Sequence, residues 1–226
     1  MDDFRPNLTN YDGPLTISPQ RGINGRNVTV PWIQELILRG YGWTTHVGTL
    51  ITPVIGGGNG TVIVIGRPEL LISIPAGYYL IPFDLKIECR QPLLAADTDL
   101  VEAFFSVDTT QKWDGTGTST AKTPANLRTD LGTASPATAA ASFSAAVTQT
   151  IVDSITLDRK IITGDVQGTP TATMWTEFKL DYQPNNPPVI AGPAMLICHY
   201  GGTVATSGYC QVKYCVVPSS FFNNLN

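Results

Sequence analysis

Residues 81 to 89 read Ile-Pro-Phe-Asp-Leu-Lys-Ile-Glu-Cys, and this stretch limits the fold more than any other. With a period of two, Ile81, Phe83, Leu85, Ile87 and Cys89 share one side, and Asp84, Lys86 and Glu88 share the other. That is the mark of a half-buried strand. A slip of one residue would bury three charges, so its register is firmly specified.

The same period recurs along the chain. Val101, Ala103, Phe105 and Val107 alternate, as do Met174, Thr176, Phe178, Leu180 and Tyr182 against Trp175, Glu177, Lys179 and Asp181. Cys210, Val212, Tyr214 and Val216 alternate with Gln211, Lys213 and Cys215. Ala194 to Tyr200 is apolar on both faces and is placed inside a sheet. Joined through the loop Gly201 to Gly208, these last two runs read as a closing antiparallel hairpin. Further strands are expected at His46 to Ile55 and Thr61 to Ile65, around the turn Gly56 to Gly60, and at Glu69 to Ile74, Val147 to Leu157 and Lys160 to Thr163.

Eight or nine strands without a long helix predict an all-β fold, a two-sheet antiparallel β-sandwich. The strand count and one long insertion between sequential strands favour a jelly roll over another Greek key. Phe83, Leu85, Ile87, Val101, Phe105, Phe178, Leu180, Val212 and Tyr214 are the expected core.

Residues 1–44 lack any period and are broken by Pro6, Gly13, Pro14, Pro19, Gly22 and Gly25. They read as an extended N-terminal arm with a short helix near 31–39, opened by Pro31 and stopped by Gly40. Trp32 and Trp43 would anchor it on its own domain or on another subunit. Residues 45–226 form the sandwich, with a long insertion at about 108–146 rich in Thr, Ala, Ser and Gly and a helical hint at Pro124 to Leu131.

The charged fraction is 14% and the net charge −4. A typical soluble domain is roughly 25% charged, so uncharged polar residues must make up much of this surface. That suits β proteins that bury surface against copies of themselves. In the arm, Asp2, Asp3, Asp12 and Glu35 balance Arg5, Arg21, Arg26 and Arg39. Direct nucleic-acid binding by the arm is therefore not expected. The start Met-Asp-Asp-Phe-Arg-Pro lacks the features of a secretory signal, and no apolar run approaches the roughly 18 residues of a membrane span. The triplets at Asn7, Asn27 and Asn59 then read as loop residues.

Catalytic material is thin. The chain has only His46 and His199, and no nucleophile elbow, phosphate loop or dinucleotide fingerprint. Nothing selects a pair of carboxylates for glycoside hydrolysis. His199, in step with Met195 and Ile197, reads as a satisfied core or interface histidine. Cys89, Cys198, Cys210 and Cys215 read as buried free thiols, with a Cys198–Cys210 bridge across the hairpin as the alternative. Cys198, His199, Cys210 and Cys215 are ligand types for zinc, but neighbouring strand residues face opposite ways and cannot converge without a bulge. Asp97, Asp99, Asp108 and Asp114 lack the spacing of a calcium loop and read as solvated carboxylates. No catalytic, cofactor-binding or metal residue is assigned.

Ile72-Ser-Ile-Pro-Ala-Gly-Tyr78 leading into the alternating strand resembles single jelly-roll virion structural proteins, as does Ile190-Ala-Gly-Pro-Ala-Met-Leu196 leading to the run that ends Val217-Pro218-Ser219. These are viral capsid subunits or phage head decoration or fibre proteins, and the likeness spans about 60–220. It implies a virion location, no enzymatic activity, and partners that are copies of the chain and other capsid proteins. Contacts would run through sandwich edges, loops and the arm. The arm's zero net charge departs from the basic arm of many RNA-virus coats and points towards a DNA virus, a phage or an outer-layer protein. The alternative from another class is a glycan-binding β-sandwich module that stacks sugars on Trp113, Trp175, Tyr78 or Tyr79.

Overall fold

The computed structural model describes residues 20–21, 27–28, 31–56, 63, 65–92, 99–109, 119–143, 154–164, 175–202 and 206–223. In chain order these contain β1 (Gln20–Arg21), β2 (Asn27–Val28), α1 (Trp32–Leu38), β3 (Gly42–Val47), β4 (Val54–Ile55), β5 (Leu70–Ile74), β6 (Tyr78–Pro92) and β7 (Asp99–Asp108). There follow β8 (Thr120–Lys122), β9 (Ala125–Asn126), β10 (Thr138–Ala141), β11 (Ser154–Gly164), β12 (Trp175–Tyr182), β13 (Ile190–Ala191), β14 (Ala194–Gly202), β15 (Ser207–Pro218) and α2 (Ser220–Asn223).

Four nested antiparallel pairs organise these strands. β3 pairs with β15, β5 with β14, β6 with β12 and β7 with β11, as in one long hairpin whose tip lies between β7 and β11. Two more pairings, β15 with β6 and β14 with β7, roll that hairpin up. The result is two sheets, ordered β12-β6-β15-β3-β9 and β11-β7-β14-β5-β10-β8. This is a jelly roll, a two-sheet antiparallel sandwich.

The inner faces meet in one large core. Leu85, Ile87, Val101, Phe105, Phe178, Leu180, Val212 and Tyr214 are all buried in it, as the alternation required. Phe83 is the exception, being half-buried in a separate cluster on the outside of the first sheet with Ile81 and Cys215. The register between β6 and β15 explains the flip, because Lys213 faces Asp84 but the next residue, Tyr214, faces Pro82. Phe83 is thus the extra residue of a β-bulge, and inward positions change from Leu80 to Leu85, Ile87 and Cys89 across it. Pro82 has no N–H to give the ladder, which is why prolines within sheets favour edges and bulges.

The expected closing hairpin is also absent. β14 and β15 belong to different sheets, so the chain crosses from one to the other rather than turning back on itself. The expectation for β14 itself stands, since it lies between β5 and β7 and is buried along its whole length. Ala194, Leu196, Cys198 and Tyr200 face inward, while Met195 and Ile197 pack outward with Leu71 and Phe143.

The insertion after β7 closes one flank. β10 adds to the edge of β5 and β8 to β10, while β9 adds to the edge of β3. No helix forms at Pro124 to Leu131; instead, Asn126 Oδ1 accepts the Arg128 N–H at 2.8 Å, a local turn that competes with helix. Asn126 Nδ2 donates to Gly40 O at 2.9 Å, and Arg128 Nη1 donates to Leu38 O at 2.6 Å, so this segment grips the C-terminal end of α1.

At the opposite flank the outer strands are β11 and β12. Leu157 is the extra residue of a bulge in β11. Lys160 reaches across to donate to Lys179 O at 2.9 Å, with its ammonium 5.3 Å from the centre of the Phe178 ring. Bulges and inward-turned lysines are devices that keep edges from pairing with other chains.

Outside the first sheet lies α1. Leu36 is buried on Ile81, Cys215 and Val217, with Trp32, Ile33, Ile37 and Phe221 of α2 around them. Gly40, at φ +85°, lets Tyr41 N–H return to Leu36 O and end the helix. Two residues later β3 begins, and Trp43 belongs to the main core.

Truncating Phe178 to Ala is expected to cost about 3–5 kcal/mol in urea unfolding, the usual loss for emptying a buried aromatic site. Phe83→Ala should cost clearly less; equal losses would place Phe83 in the core after all. Removing residues 1–44 takes out Trp43 and half of β3, so the remaining chain should lose its cooperative thermal transition. A truncated chain melting like the full one would contradict the packing of Trp43.

Candidate functional site

The two histidines do not come together. His46 is exposed on β3, on the outer face of the first sheet, whereas His199 is buried on the outer face of the second. The His199 ring stacks on Phe104 at 4.8 Å between centres, and its Nε2 lies 3.0 Å from Ile65 O, to which it donates in the matching tautomer. Its Nδ1 is buried and finds no hydrogen-bond partner among the described residues.

All four cysteines are buried free thiols, so Cys198 and Cys210 are not bridged. They meet across the interior from opposite sheets, hydrogen-bonded to each other, rather than side by side in a hairpin. Burial pushes the thiols of Cys89 and Cys215 up to about 12, and that of Cys198 well above its ordinary value. Such groups stay protonated at neutral pH and are poor nucleophiles and poor metal ligands. Among the described residues no group of three or more His, Cys, Asp or Glu side chains is placed to hold a metal ion. Asp108 is buried, and Asp97 and Asp114 lie outside the described residues.

Of the aromatic platforms read from the sequence, Tyr78 and Tyr79 are half-buried against the two clusters. Trp113 and the Trp175 side chain lie outside the described residues.

The polar half of the first sheet's outer face carries a cross-strand ladder of charge. Lys213 meets Asp84 at 2.6 Å, Lys86 meets Glu88 at 2.5 Å, and Lys179 bridges Glu88 at 3.7 Å and Asp181 at 3.0 Å. Partial burial opposes ionisation of Glu88, but hydrogen bonds from Lys86 and Tyr209 outweigh it and hold the carboxyl below its usual range. Burial and the bond to Glu88 together push the Tyr209 hydroxyl up to about 12. Three lysines face three acids, so the ladder has no net charge.

The feature sequence reading missed is at the end of the sandwich where β3 finishes and β15 begins. There Thr49 and Thr52 close a tight turn, with Thr49 N–H to Thr52 O at 3.0 Å, Thr52 N–H to Thr49 Oγ1 at 2.9 Å and the two hydroxyls 2.7 Å apart. Leu50 and Ile51 form its tip, 78% and 91% exposed. The sequence pattern places both in a strand from His46 to Ile55, and the turn replaces its middle. Thr-x-x-Thr-Pro is the signal that marks the turn, since hydroxyls bonding their own backbone favour turns over ladders. Ile55 and Ile65 are exposed as well, and among the described residues four of the eight exposed large apolar side chains belong to residues 50–65. Burying a Leu or Ile side chain returns about 1.5–3 kcal/mol, so a held-out tip of this kind is a ready contact.

Beside the tip opens a cleft of about 270 Å³. Leu50 and Pro53 give it an apolar side, Glu88, Arg90, Glu177, Lys179 and Tyr209 a polar rim, and Cys89 and Phe178, whose side chains are buried in the core, lie beneath it. Its position is fixed by Tyr200, whose hydroxyl lies 2.9 Å from Val54 O and 3.1 Å from Gly208 O, tying β4 to β15 from within. The buried Glu69 carboxylate accepts the Tyr200 N–H at 2.9 Å and completes that tie.

Burial lowers the His199 imidazole from 6.5 to about 4, against the pull of the Ile65 carbonyl. Between those values the unfolded chain binds the extra proton, so this contribution is fully present above pH 6.5 and lost as pH falls towards 4. One proton sets a slope of up to about 1.4 kcal/mol per pH unit. His199→Phe should flatten the curve of unfolding free energy against pH in that window; an unchanged slope would show that His199 is not the group responsible.

Comparison with protein-family models and with curated proteins finds no match to this chain.

Proposed function

We propose that this chain is a structural subunit of a virus particle, a capsid or capsid-decoration protein that assembles with copies of itself and with other capsid proteins. Jelly rolls serve in capsids, lectins and cupins alike, and the fold by itself does not choose among them. The observation that carries the reading is where this sandwich leaves apolar surface. One flank ends in the short strands β8 and β9, the other is blunted by the β11 bulge and Lys160, and exposed Leu50, Ile51, Ile55 and Ile65 occur together in residues 50–65. Loops, with the α1 layer, then serve assembly better than strand edges do.

Two further features support it. The neutral ladder on the first sheet suits packing against protein rather than neutralising phosphates. The aromatic side chains that a glycan-binding module would offer are, where described, half-buried in packing.

Size-exclusion chromatography with light scattering, followed by electron microscopy of the purified chain, tests the proposal. Trimers, rings or shells are expected. Uniform monomers whose melting temperature rises with added sugars would overturn it in favour of the glycan-binding module.

A further inference from the structure

Three successive residues of β14 clasp the turn from Ile65 to Glu69 onto the outside of the second sheet. Cys198 O accepts the Glu69 N–H at 3.0 Å, His199 Nε2 lies 3.0 Å from Ile65 O, and the Tyr200 N–H donates to the Glu69 carboxylate at 2.9 Å. We infer that His199 is an acid-sensitive latch: when its ring takes a second proton, the turn lifts from β14 while the sandwich beneath stays folded. The device is independent of how the chain assembles.

The closed site has no place for that proton. His199 is 1% exposed and Phe104 stacks on its ring. With Nε2 serving Ile65 O, the second proton must go to Nδ1, which has no acceptor among the described residues. The charged groups on the surrounding elements are Glu102 and Asp108 of β7, Arg159 of β11, and Arg67 and Glu69 of the turn, while β5 has none. Glu102 is paired with Arg159 and Glu69 accepts the Tyr200 N–H, and none of these groups bonds Nδ1. Burial of the charged ring therefore outweighs the bond to Ile65 O, and lifting the turn lets water reach the ring.

Glu69 does not do the same work, because a protonated carboxyl keeps an oxygen to accept the Tyr200 N–H. The opening is local because the other side of β14 does not depend on the turn: Leu196, Cys198 and Tyr200 pack inward on the first sheet. The closed ring binds its second proton at about pH 4 and the hydrated ring at about 6.5, so closure is fully favoured above pH 6.5. As pH falls from there towards 4, the closed-to-open ratio drops by up to about tenfold per unit.

Amide hydrogen exchange on the full chain tests the latch, each rate being divided by the intrinsic rate at the same pH. Between pH 7 and pH 4 the protection of the Glu69 amide is expected to fall at least about tenfold, while amides of β6 and β15 keep theirs. His199→Gln, which retains a donor for Ile65 O but cannot titrate, should abolish the fall, and Glu69→Gln should retain it. A fall that survives in His199→Gln, or that disappears in Glu69→Gln, would overturn the assignment. So would an equal loss of protection in β6 and β15, which marks global unfolding. Nuclear magnetic resonance of the wild-type His199 ring protons gives a measurement that needs no variant: their titration must share its midpoint with the exchange of Glu69, and a ring that titrates at a different pH would also overturn the latch.

Discussion

A strand that is apolar on both faces must be covered on both, and β14 imposes that demand on the whole molecule. Its inward residues Leu196, Cys198 and Tyr200 need an opposing sheet, which β15, β6 and β3 supply. Its outward residues Met195, Ile197 and His199 need a second cover, and Leu71, Phe143, Phe104 and the Ile65 carbonyl provide it. Because β14 is buried throughout, it can only be an interior strand, and the nesting of β5 with β14 inside β3 with β15 follows from placing it there. The first sheet meets the same demand more cheaply. Among the described residues its central strand β15 is buried on the outer side where Cys215 and Val217 lie under α1, while Gln211 and Lys213 are half-buried.

Much of this was written in the periodicity. Leu85, Ile87, Val101, Phe105, Phe178, Leu180, Val212 and Tyr214 are buried because alternation with charged neighbours leaves them one dry side. The failures came where a local device breaks the period. At Phe83 a bulge adds one residue, and Pro82 was the available warning. The crossover after β14 carries the pattern of a hairpin, because a loop rich in Gly and Thr looks the same whether it reverses within a sheet or passes between two. Pairing partners are tertiary facts, and a period of two carries no information about them. At Asn126 a side-chain bond to the Arg128 N–H displaced the expected helix, and the contact of Arg128 with Leu38 O spans 90 positions of sequence.

The candidate contact was less legible than the fold, for a physical reason. Apolar residues in a sequence are read as inward, and Leu50 and Ile51 break that rule. Their exposure depends on two threonine side chains turning the backbone, a choice between ladder and turn worth little energy in isolation. The cleft was beyond sequence reading altogether, since its walls come from β6, β12, β15 and the turn after β3.

Closed flanks and an open end belong to one design problem. A sandwich with unpaired edges can grow without limit by adding strands, so a chain that must associate in a defined geometry has to block its edges before it exposes anything else. Here the insertion between β7 and β11 returns across the molecule to cover β5 and β3, and Lys160 and the Leu157 bulge disfavour pairing at the other side. In the proposed assembly, association would then rest on side chains rather than on backbone hydrogen bonds, which are indifferent to sequence. A turn held by threonines and a cleft fixed by Tyr200 and Glu69 have the rigidity that such side-chain recognition needs. The insertion that makes the sequence look irregular is thus what lengthens both sheets at that flank, β10 and β8 on β5 and β9 on β3.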